Sequence, residues 1–143
     1  MIRPAASGDI PALIRLGERF WAASPVSGLP YDPEKVSGVC EALIGTGGLF
    51  VIEQDGEVRG MAGAIAAETW FGSAKVGQEL FWWAESCGAE ALELRRRLEA
   101  WAAEQGCALF SMICLENPKA DVLARLYRRE GYRPVEHHFL KEL

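Results

Sequence analysis

The sequence predicts a single α/β domain, spanning residues 1–143, in which a mixed β-sheet carries helices on both faces. Apolar runs with strand character alternate along the chain with segments whose apolar residues recur at helical spacing. A strand–helix–strand unit over residues 75–115 implies a parallel pair with a right-handed crossover. The tight-turn signal Asp55-Gly56 implies antiparallel neighbours. The length of 143 residues fits one domain.

The first half of the chain is predicted to fold as a short strand, two helices and a hairpin. Proline fits the first turn of a helix, so Asp32-Pro33 marks the start of the second helix, and the glycines after Ile44 end it. In order, the predicted elements are a strand at 2–5, helices at 9–23 and 32–44, and strands at 49–53 and 57–68.

The second half is predicted to alternate strands and helices. The segment 108–115 is apolar on both faces, which is typical of a central strand. In the helix after it, Val122, Leu123, Leu126 and Tyr127 are expected to point inward. The predicted elements are a strand at 75–84, a helix at 89–105, a strand at 108–115, a helix at 120–130 and one or two strands at 132–143.

Composition and charge exclude several classes of protein. The net charge is −5, from 15 basic and 20 acidic residues, which disfavours general nucleic-acid binding. The longest apolar stretches, at 61–67 and 80–84, are far shorter than the ~20 residues that span a bilayer. No secretory signal and no C-x-x-C pair are visible, so we expect a cytoplasmic protein with reduced thiols and no membrane partner.

Three short motifs occur in the order that one enzyme family shows. Residues 2–9, IRPAASGD, resemble an R-P-A-x-x-x-D opening; residues 55–60, DGEVRG, resemble a D-G-x-x-x-G hairpin; residues 126–134, LYRREGYRP, resemble an L-Y-x-x-x-G-F-x-P segment. With matching elements between them over nearly the whole chain, they resemble the GNAT superfamily of acyl-CoA-dependent N-acyltransferases. The resemblance implies a three-layer fold of order β-α-α-β-β-β-α-β-α-β, whose parallel central strands 75–84 and 108–115 splay apart.

The resemblance also implies where acetyl-CoA binds as co-substrate. In the family, the pantetheine arm pairs with backbone at the end of the first splayed strand. The pyrophosphate rests on amides of the next loop and helix N-terminus, where unpaired N–H groups and the helix dipole attract anions. The positions that correspond here are Trp82, Trp83, Ala84, Cys87, Gly88, Ala89, Glu90, Ala91 and Asn117.

The loop that should receive the pyrophosphate departs from the family pattern R/Q-x-x-G-x-G/A. Gly88 fits, but Glu85 replaces the basic or amide residue and Glu90 replaces a small one. Two carboxylates beside a phosphate site repel it, although solvent screening softens the effect. This departure motivates an alternative hypothesis: a catalytically inactive binding or assembly module of GNAT fold that binds CoA weakly or not at all.

Two residues are candidate catalytic groups. Tyr127 matches the family's tyrosine, whose hydroxyl protonates the leaving thiolate as a general acid; the alternative is a helical tyrosine that fills the core. Alternation on the strand puts Glu79 on the face of Phe81 and Trp83, opposite Leu80 and Trp82. A carboxylate among apolar groups has a raised pKa and can take a proton from an amine, whereas an edge position would leave it in solvent.

Several other residues have a functional and an ordinary interpretation. Glu68 is a weaker candidate for the role of Glu79. His137 and His138 are adjacent, so on a strand they point to opposite faces; one can line an acceptor pocket, but they cannot share a metal ion. No cluster has metal-ligand spacing, and we predict no metal. Aromatic residues that can form an acceptor wall, or more simply pack in the core, are Trp70, Phe71, Trp82 and Trp83.

The leading hypothesis from the sequence is an N-acetyltransferase. It would transfer an acetyl group from acetyl-CoA directly to the primary amine of a small molecule or peptide, with Glu79 as base and Tyr127 as acid. The chain's 5 tryptophans permit a homodimer without requiring one.

Overall fold

The computed structural model describes all residues, 1–143, and they divide into two compact units, Met1–Ile113 and Cys114–Leu143. The first unit contains the sheet and three α-helices; the second contains one α-helix. The elements are β1 Ile2–Pro4, a 3-10 turn Ser7–Asp9, α1 Ile10–Ala22, α2 Pro33–Thr46, β2 Leu49–Gln54, β3 Glu57–Thr69, β4 Gly72–Ala84, α3 Ala89–Glu104, β5 Leu109–Ser111 and α4 Ala120–Arg129.

The sheet is mixed, as predicted. Its strand order is β1-β2-β3-β4-β5, with antiparallel pairs between the first four strands and a parallel pair between β4 and β5. Asp55 and Gly56 both have positive φ, at 52° and 77°, which is the backbone geometry of the tight hairpin turn that their sequence predicts. The mixed α/β class is therefore confirmed.

Two apolar clusters lie on opposite faces of the sheet and confirm the prediction of helices on both. Alternation along β2 feeds both clusters, because Leu49 and Val51 point to one face and Phe50 and Ile52 to the other. The first face packs against α1 and α2, through residues that include Leu13, Leu16, Cys40 and Leu43. The second face packs against α3, through residues that include Leu94, Leu98, Trp101 and Ala102.

The helix boundaries follow the local chemistry of the sequence. Asp32 Oδ1 accepts hydrogen bonds from the amides of Glu34 and Lys35 at 3.0 and 3.2 Å and caps α2. Gly47 ends the same helix in the left-handed region, at φ 74°. None of the helices combines the length and the apolar character that crossing a membrane requires. All four cysteines are free thiols.

The prediction of a long central strand at 108–115 is wrong. β5 comprises only Leu109–Ser111 and forms one edge of the sheet, where Leu109 is 64% exposed. Two residues after β5 ends, the amide of Ile113 donates to the side chain of Glu79. The segment is therefore apolar although it does not lie between two strands.

The predicted strands at 132–143 are also absent, so the element order ends with α4. These residues have no regular secondary structure and are exposed apart from Tyr132. Their apolar residues, Val135, Phe139, Leu140 and Leu143, do not alternate with period two, and Pro134 offers no amide to a ladder. Val122 was predicted to point inward and is exposed, whereas Tyr127 of the same helix is buried as predicted.

We predict opposite effects of alanine at two glycines of this region. A Cβ at Gly48 would lie 2.5 Å from the carbonyl oxygen of Ala64 and 3.0 Å from the ring of Trp101, so Gly48→Ala should lower the free energy of unfolding by about 1–3 kcal/mol. Gly38, inside α2, has no atom near that position, and Gly38→Ala should raise the free energy by about 0.5–1 kcal/mol. Urea unfolding of both variants measures the difference; equal stabilities would contradict the packing described here.

Candidate active site

Strands β4 and β5 run together for three residues and then part. Their pairs are Val76↔Leu109, Gly77↔Phe110 and Gln78↔Ser111. β4 continues to Ala84, and no strand pairs with it beyond Gln78 on the side away from β3. This parting corresponds to the splayed strands that the family resemblance implied.

A β-bulge in β4 lies at the same point. Gly63 of β3 faces Phe81 and Ala64 faces Glu79, so Leu80 has no partner on β3. A bulge bends its strand and increases the local twist, which separates β4 from a short neighbour. Leu80 consequently packs against the α1–α2 cluster together with Phe81 and Trp83. The predicted strict alternation, with Leu80 opposite Phe81, is therefore wrong at this residue.

Glu79 occupies the point where the strands part. Its Oε2 accepts a hydrogen bond from the amide of Ile113 at 2.8 Å, and the residue is only 4% exposed. Burial raises the pKa of this carboxyl to about 7, and the bond from Ile113 opposes that rise. A carboxyl that exchanges its proton near neutral pH suits a general acid or base.

The loop after β4 presents a row of unused amides. The N–H groups of Ser86, Cys87, Gly88 and Ala89 donate to no acceptor within the protein. Ser86 and Gly88 have positive φ, at 56° and 53°, and the loop leads into the N-terminus of the 16-residue helix α3. Consecutive free amides at a helix N-terminus form an anion-binding concavity.

The structure refines the predicted set of amides at this loop. Glu90 and Ala91 donate their amides to the carbonyl oxygens of Cys87 and Gly88, so their N–H groups are already used. The free row runs from Ser86, which is not among the predicted co-substrate positions, to Ala89. Serine rarely adopts a positive φ, so the residue type at position 86 does not predict this backbone conformation.

Both carboxylates of the loop have cationic or amide partners. Arg19 of α1 forms an ion pair with Glu85, and the Trp83 indole N–H also donates to that carboxylate at 3.2 Å. The Arg19 hydrogen bond is the main cause that lowers the pKa of Glu85. The amino group of Met1 lies 2.7 Å from Glu90, and Gln54 donates to the same carboxylate; both lower its pKa. The negative charges that the sequence places beside the loop are thus offset locally.

The two tryptophans near the end of β4 have structural roles. The Trp82 indole donates to the carbonyl oxygen of Ala91 at 3.1 Å, which ties the strand to α3. Trp83 stacks edge to face with Phe20 at 6.3 Å. Ala84 pairs with Gly60 of β3. Any part that these residues play in binding a ligand would come from the backbone of β4.

Cys87 shows no sign of a reactive thiol. It is buried, its Sγ lies 3.2 Å from the carbonyl oxygen of Glu85, and burial raises the pKa of the thiol. The residue contributes its backbone amide, and not its sulfur, to the loop.

Within residues 114–143, Tyr127 lies on α4 and is buried. Its ring lies 5.6 Å from the ring of Tyr132, and its carbonyl oxygen accepts the amide of Tyr132 at 2.9 Å. Asn117 shapes the turn before α4, since its Oδ1 accepts the amide of Lys119 at 2.8 Å.

The two histidines of this unit are exposed, and His138 lies 2.9 Å from a carboxylate oxygen of Glu136. No group of three or more His, Cys, Asp or Glu residues is arranged to hold a metal ion.

No family model and no curated protein sequence matches the chain. Solved structures do match it, and they share its architecture. Among solved structures, the aminoglycoside N-acetyltransferase AAC(6')-Iy in complex with CoA superimposes with a TM-score of 0.75 at 14% identity, over 100% of this chain and 93% of its own. The chain has the GNAT fold.

Other structures of this fold differ in description. A predicted acetyltransferase with acetyl-CoA from Clostridium acetobutylicum gives a TM-score of 0.75 at 13% identity, over 99% of this chain and 95% of that one. A transcriptional regulator from Bacillus halodurans C-125 gives 0.75 at 15% identity, over 100% and 99%. The fold is therefore shared by proteins with more than one description, and the function has to be argued from the site.

We predict that Glu79→Gln changes how stability depends on pH. The native pKa of about 7 exceeds the ordinary value of 4.5, so the unfolded chain releases this proton first and the free energy of unfolding falls as pH rises from about 4.5 to 7. One pKa unit corresponds to about 1.4 kcal/mol, so the advantage of Glu79→Gln over the parent should grow by roughly 3 kcal/mol between pH 4.5 and 8.

Urea unfolding across this pH range measures the difference. Glutamine keeps an oxygen that can accept the Ile113 amide, and Glu41→Gln, at an exposed position of α2, serves as the control with a flat difference. A flat difference for Glu79→Gln as well would show that the carboxyl is not desolvated.

Proposed function

We propose that the protein is an acyl-CoA-dependent N-acyltransferase that moves an acetyl group from acetyl-CoA to a primary amine by direct transfer. The parting of β4 and β5 carries this proposal, because it combines a buried carboxyl of pKa about 7 with a row of free amides at the start of α3. Structures of the same fold that contain CoA or acetyl-CoA support a co-substrate of this type.

The free amides fit the pyrophosphate of CoA. Four consecutive N–H groups, from Ser86 to Ala89, have no acceptor in the protein and can donate to an anion at the N-terminus of α3, and the neighbouring carboxylates are already paired. The end of β4, at Trp83 and Ala84, offers strand backbone to the amide groups of the pantetheine arm. Contacts of Asn117 with the co-substrate remain a prediction from the family resemblance.

In the proposed reaction the amine nitrogen attacks the thioester carbonyl carbon. A C–N bond forms, the C–S bond breaks, and a backbone amide at the end of β4 stabilises the developing oxyanion. Glu79 takes the proton that the amine loses, directly or through a water molecule, and the Tyr127 hydroxyl donates a proton to the departing sulfur. Most of the rate enhancement comes from holding the two substrates in line.

A small-molecule amine is the proposed class of acceptor. One structure of this fold is an aminoglycoside N-acetyltransferase with a bisubstrate analogue that joins CoA to acetylneamine, at 15% identity and a TM-score of 0.76. The net charge of −5 favours a cationic acceptor over an anionic one. The alternative of an inactive module had its main support in the charges of Glu85 and Glu90, and the pairing of both carboxylates weakens that support.

We predict that CoA and acetyl-CoA raise the melting temperature of the protein, because a ligand that binds only the native state stabilises it. Arg19→Gln should weaken CoA binding by about two- to fivefold, the scale of a surface ion pair, since it leaves Glu85 without its cationic partner beside the free amides. The double variant Arg19→Gln/Glu85→Gln should recover the affinity.

Calorimetric titration with CoA at two salt concentrations measures these affinities. Absence of a thermal shift at millimolar CoA would favour the inactive module. Equal affinities of the single and double variants would remove Glu85 from the binding site.

We predict separate kinetic signatures for the two catalytic candidates. The kcat/KM of the parent should rise with pH around 7 as Glu79 loses its proton, and Glu79→Gln should lower kcat/KM by about 10²–10⁴-fold and remove this dependence. Tyr127→Phe should lower kcat by about 10²-fold or more with little change in the KM for acetyl-CoA.

The assay measures thiol release with a panel of small polyamines and aminoglycosides as acceptors. The defect of Tyr127→Phe should shrink with an acetyl thioester whose thiol is more acidic, because protonation of that leaving group matters less. Glu41→Gln serves as the control for the loss of one surface carboxylate. Activity of Glu79→Gln equal to that of the parent at every pH would exclude Glu79 as the base.

A further inference from the structure

The hairpin of β3 and β4 extends beyond the rest of the sheet. The last residue of β3 that pairs with β2 is Gly63, and the first residue of β4 that pairs with β5 is Val76. The β4 partners of residues 65–67 are flanked by β5, so only residues 68–75 pair solely with each other, as far as the turn after Thr69. We call this two-stranded segment, residues 68–75, the arm.

Two adjacent aromatic residues occupy the tip of the arm. Trp70 is 94% exposed and Phe71 is 73% exposed, and their rings contact edge to face at 5.3 Å. Large aromatic side chains are rarely left in water side by side, because each can bury about 150–250 Å² of surface. Their exposure on a projecting hairpin indicates a contact with another molecule.

A groove of about 230 Å³ lies at the base of the arm, along the edge of β3 that faces away from β4. Its walls are the ends of α2 and α3, and it is mainly apolar with a few polar groups. The residues that line it are Ala42, Leu43, Thr46, Ile65, Ala66, Lys75, Trp101 and Gln105.

The edge of β3 in this groove carries backbone groups without a neighbouring strand. The amide of Ala64 donates to the carbonyl oxygen of Gly48, on the side of β2. Because backbone groups alternate in direction along an antiparallel strand, those of Ala66 and Glu68 point to the same side as those of Ala64. No strand lies there, because β2 begins at Leu49, opposite Gly63. An open strand edge of this kind pairs readily with a second strand.

We propose that two copies of this chain associate through their arms, with Trp70 and Phe71 of each copy seated in the groove of the other. In an antiparallel alignment of the two β3 edges about Glu68, Thr69, the last residue of β3 in one copy, lies opposite Ala67 of its partner, and the turn that carries Trp70 follows beside Ala66. Thr69 is three residues from Ala66, about 10 Å along the strand. The tip of each arm therefore reaches the partner's groove without rearrangement.

The surface that this arrangement buries is adequate for a stable dimer. Two aromatic residues from each copy remove about 600–1,000 Å² from water. The groove walls and the paired strand edges add to this area, which gives the interface the scale of the smaller specific interfaces, near about 1,200 Å² in total.

The charges and polar groups of the two surfaces are also compatible. Glu68 faces Lys75 across the hairpin, so the arm is locally neutral although the chain carries a net charge of −5. Lys75 in the groove can contact the face of an inserted ring, and the Gln105 side-chain oxygen or the Thr46 hydroxyl can accept the Trp70 indole N–H.

A second copy fits the arm better than a lipid surface does. Strand-edge backbone groups gain hydrogen bonds from another strand, whereas the hydrocarbon of a bilayer cannot supply them. The net charge of −5 also opposes an approach to anionic lipids.

The test is the oligomeric state in solution, measured by sedimentation equilibrium of the full chain. We expect a mass of twice 15.7 kDa for the parent. Trp70→Ser/Phe71→Ser and the groove variant Ala42→Arg should each raise the dimer dissociation constant at least about 30-fold, as the loss of an interface anchor does. Phe139→Ser, at a 94% exposed position of the second unit, is the matched control and should leave the dimer intact.

Mixing the tip variant with the groove variant distinguishes reciprocal insertion from other contacts. The intact tip of the groove variant can enter the intact groove of the tip variant, so the mixture should form more heterodimer than either variant forms homodimer.

A monomeric parent at all concentrations, a dimer that survives the tip substitutions, or a mixture without heterodimer would overturn the proposal. Co-sedimentation of a monomeric parent with phosphatidylcholine–phosphatidylglycerol vesicles, lost in the tip variant, would overturn it in favour of a membrane contact.

Discussion

The site depends on one hydrogen bond, from the amide of Ile113 to the buried carboxylate of Glu79. A parallel sheet is ordinarily continuous because every unpaired backbone group costs free energy. Here the side chain of β4 supplies the acceptor that its backbone would otherwise provide. The chain after β5 can therefore leave the sheet without an orphaned amide, and the bulge at Leu80 turns β4 away at the same position.

The same bond explains why the carboxyl is suited to chemistry. A carboxyl buried to this degree would be protonated at neutral pH if it had no donor, and it would be fully ionised in water. Burial raises its pKa and the single backbone donor limits the rise, which leaves the group near the midpoint of its titration. Glu79 thus holds the chain after β5 through the Ile113 amide and is also the candidate base. A substitution that removes its acceptor oxygen would disturb both roles.

Local features of the chain were predictable and long-range features were not. The Asp55-Gly56 turn, the Asp32 cap and the apolar faces of α2 and α3 follow from residue type and spacing. The bulge at Leu80 and the short β5 depend on which residues face each other across the sheet, and no local pattern encodes that. The pairing of Glu85 with Arg19 spans 66 residues, so the sequence shows the charge but not its partner.

An open sheet leaves edges, and two of them in this fold carry the proposed functions. On one side, β4 continues past β5 and offers its backbone beside the free amides of Ser86–Ala89. On the other, β3 continues past β2 and ends in Trp70 and Phe71. Exposed edges invite unwanted pairing, so a protein keeps them where a ligand or a partner covers them. The two free edges lie on opposite sides of the β3–β4 hairpin, and so a dimer through the β3 edges leaves the edge of β4 beyond Gln78 unpaired.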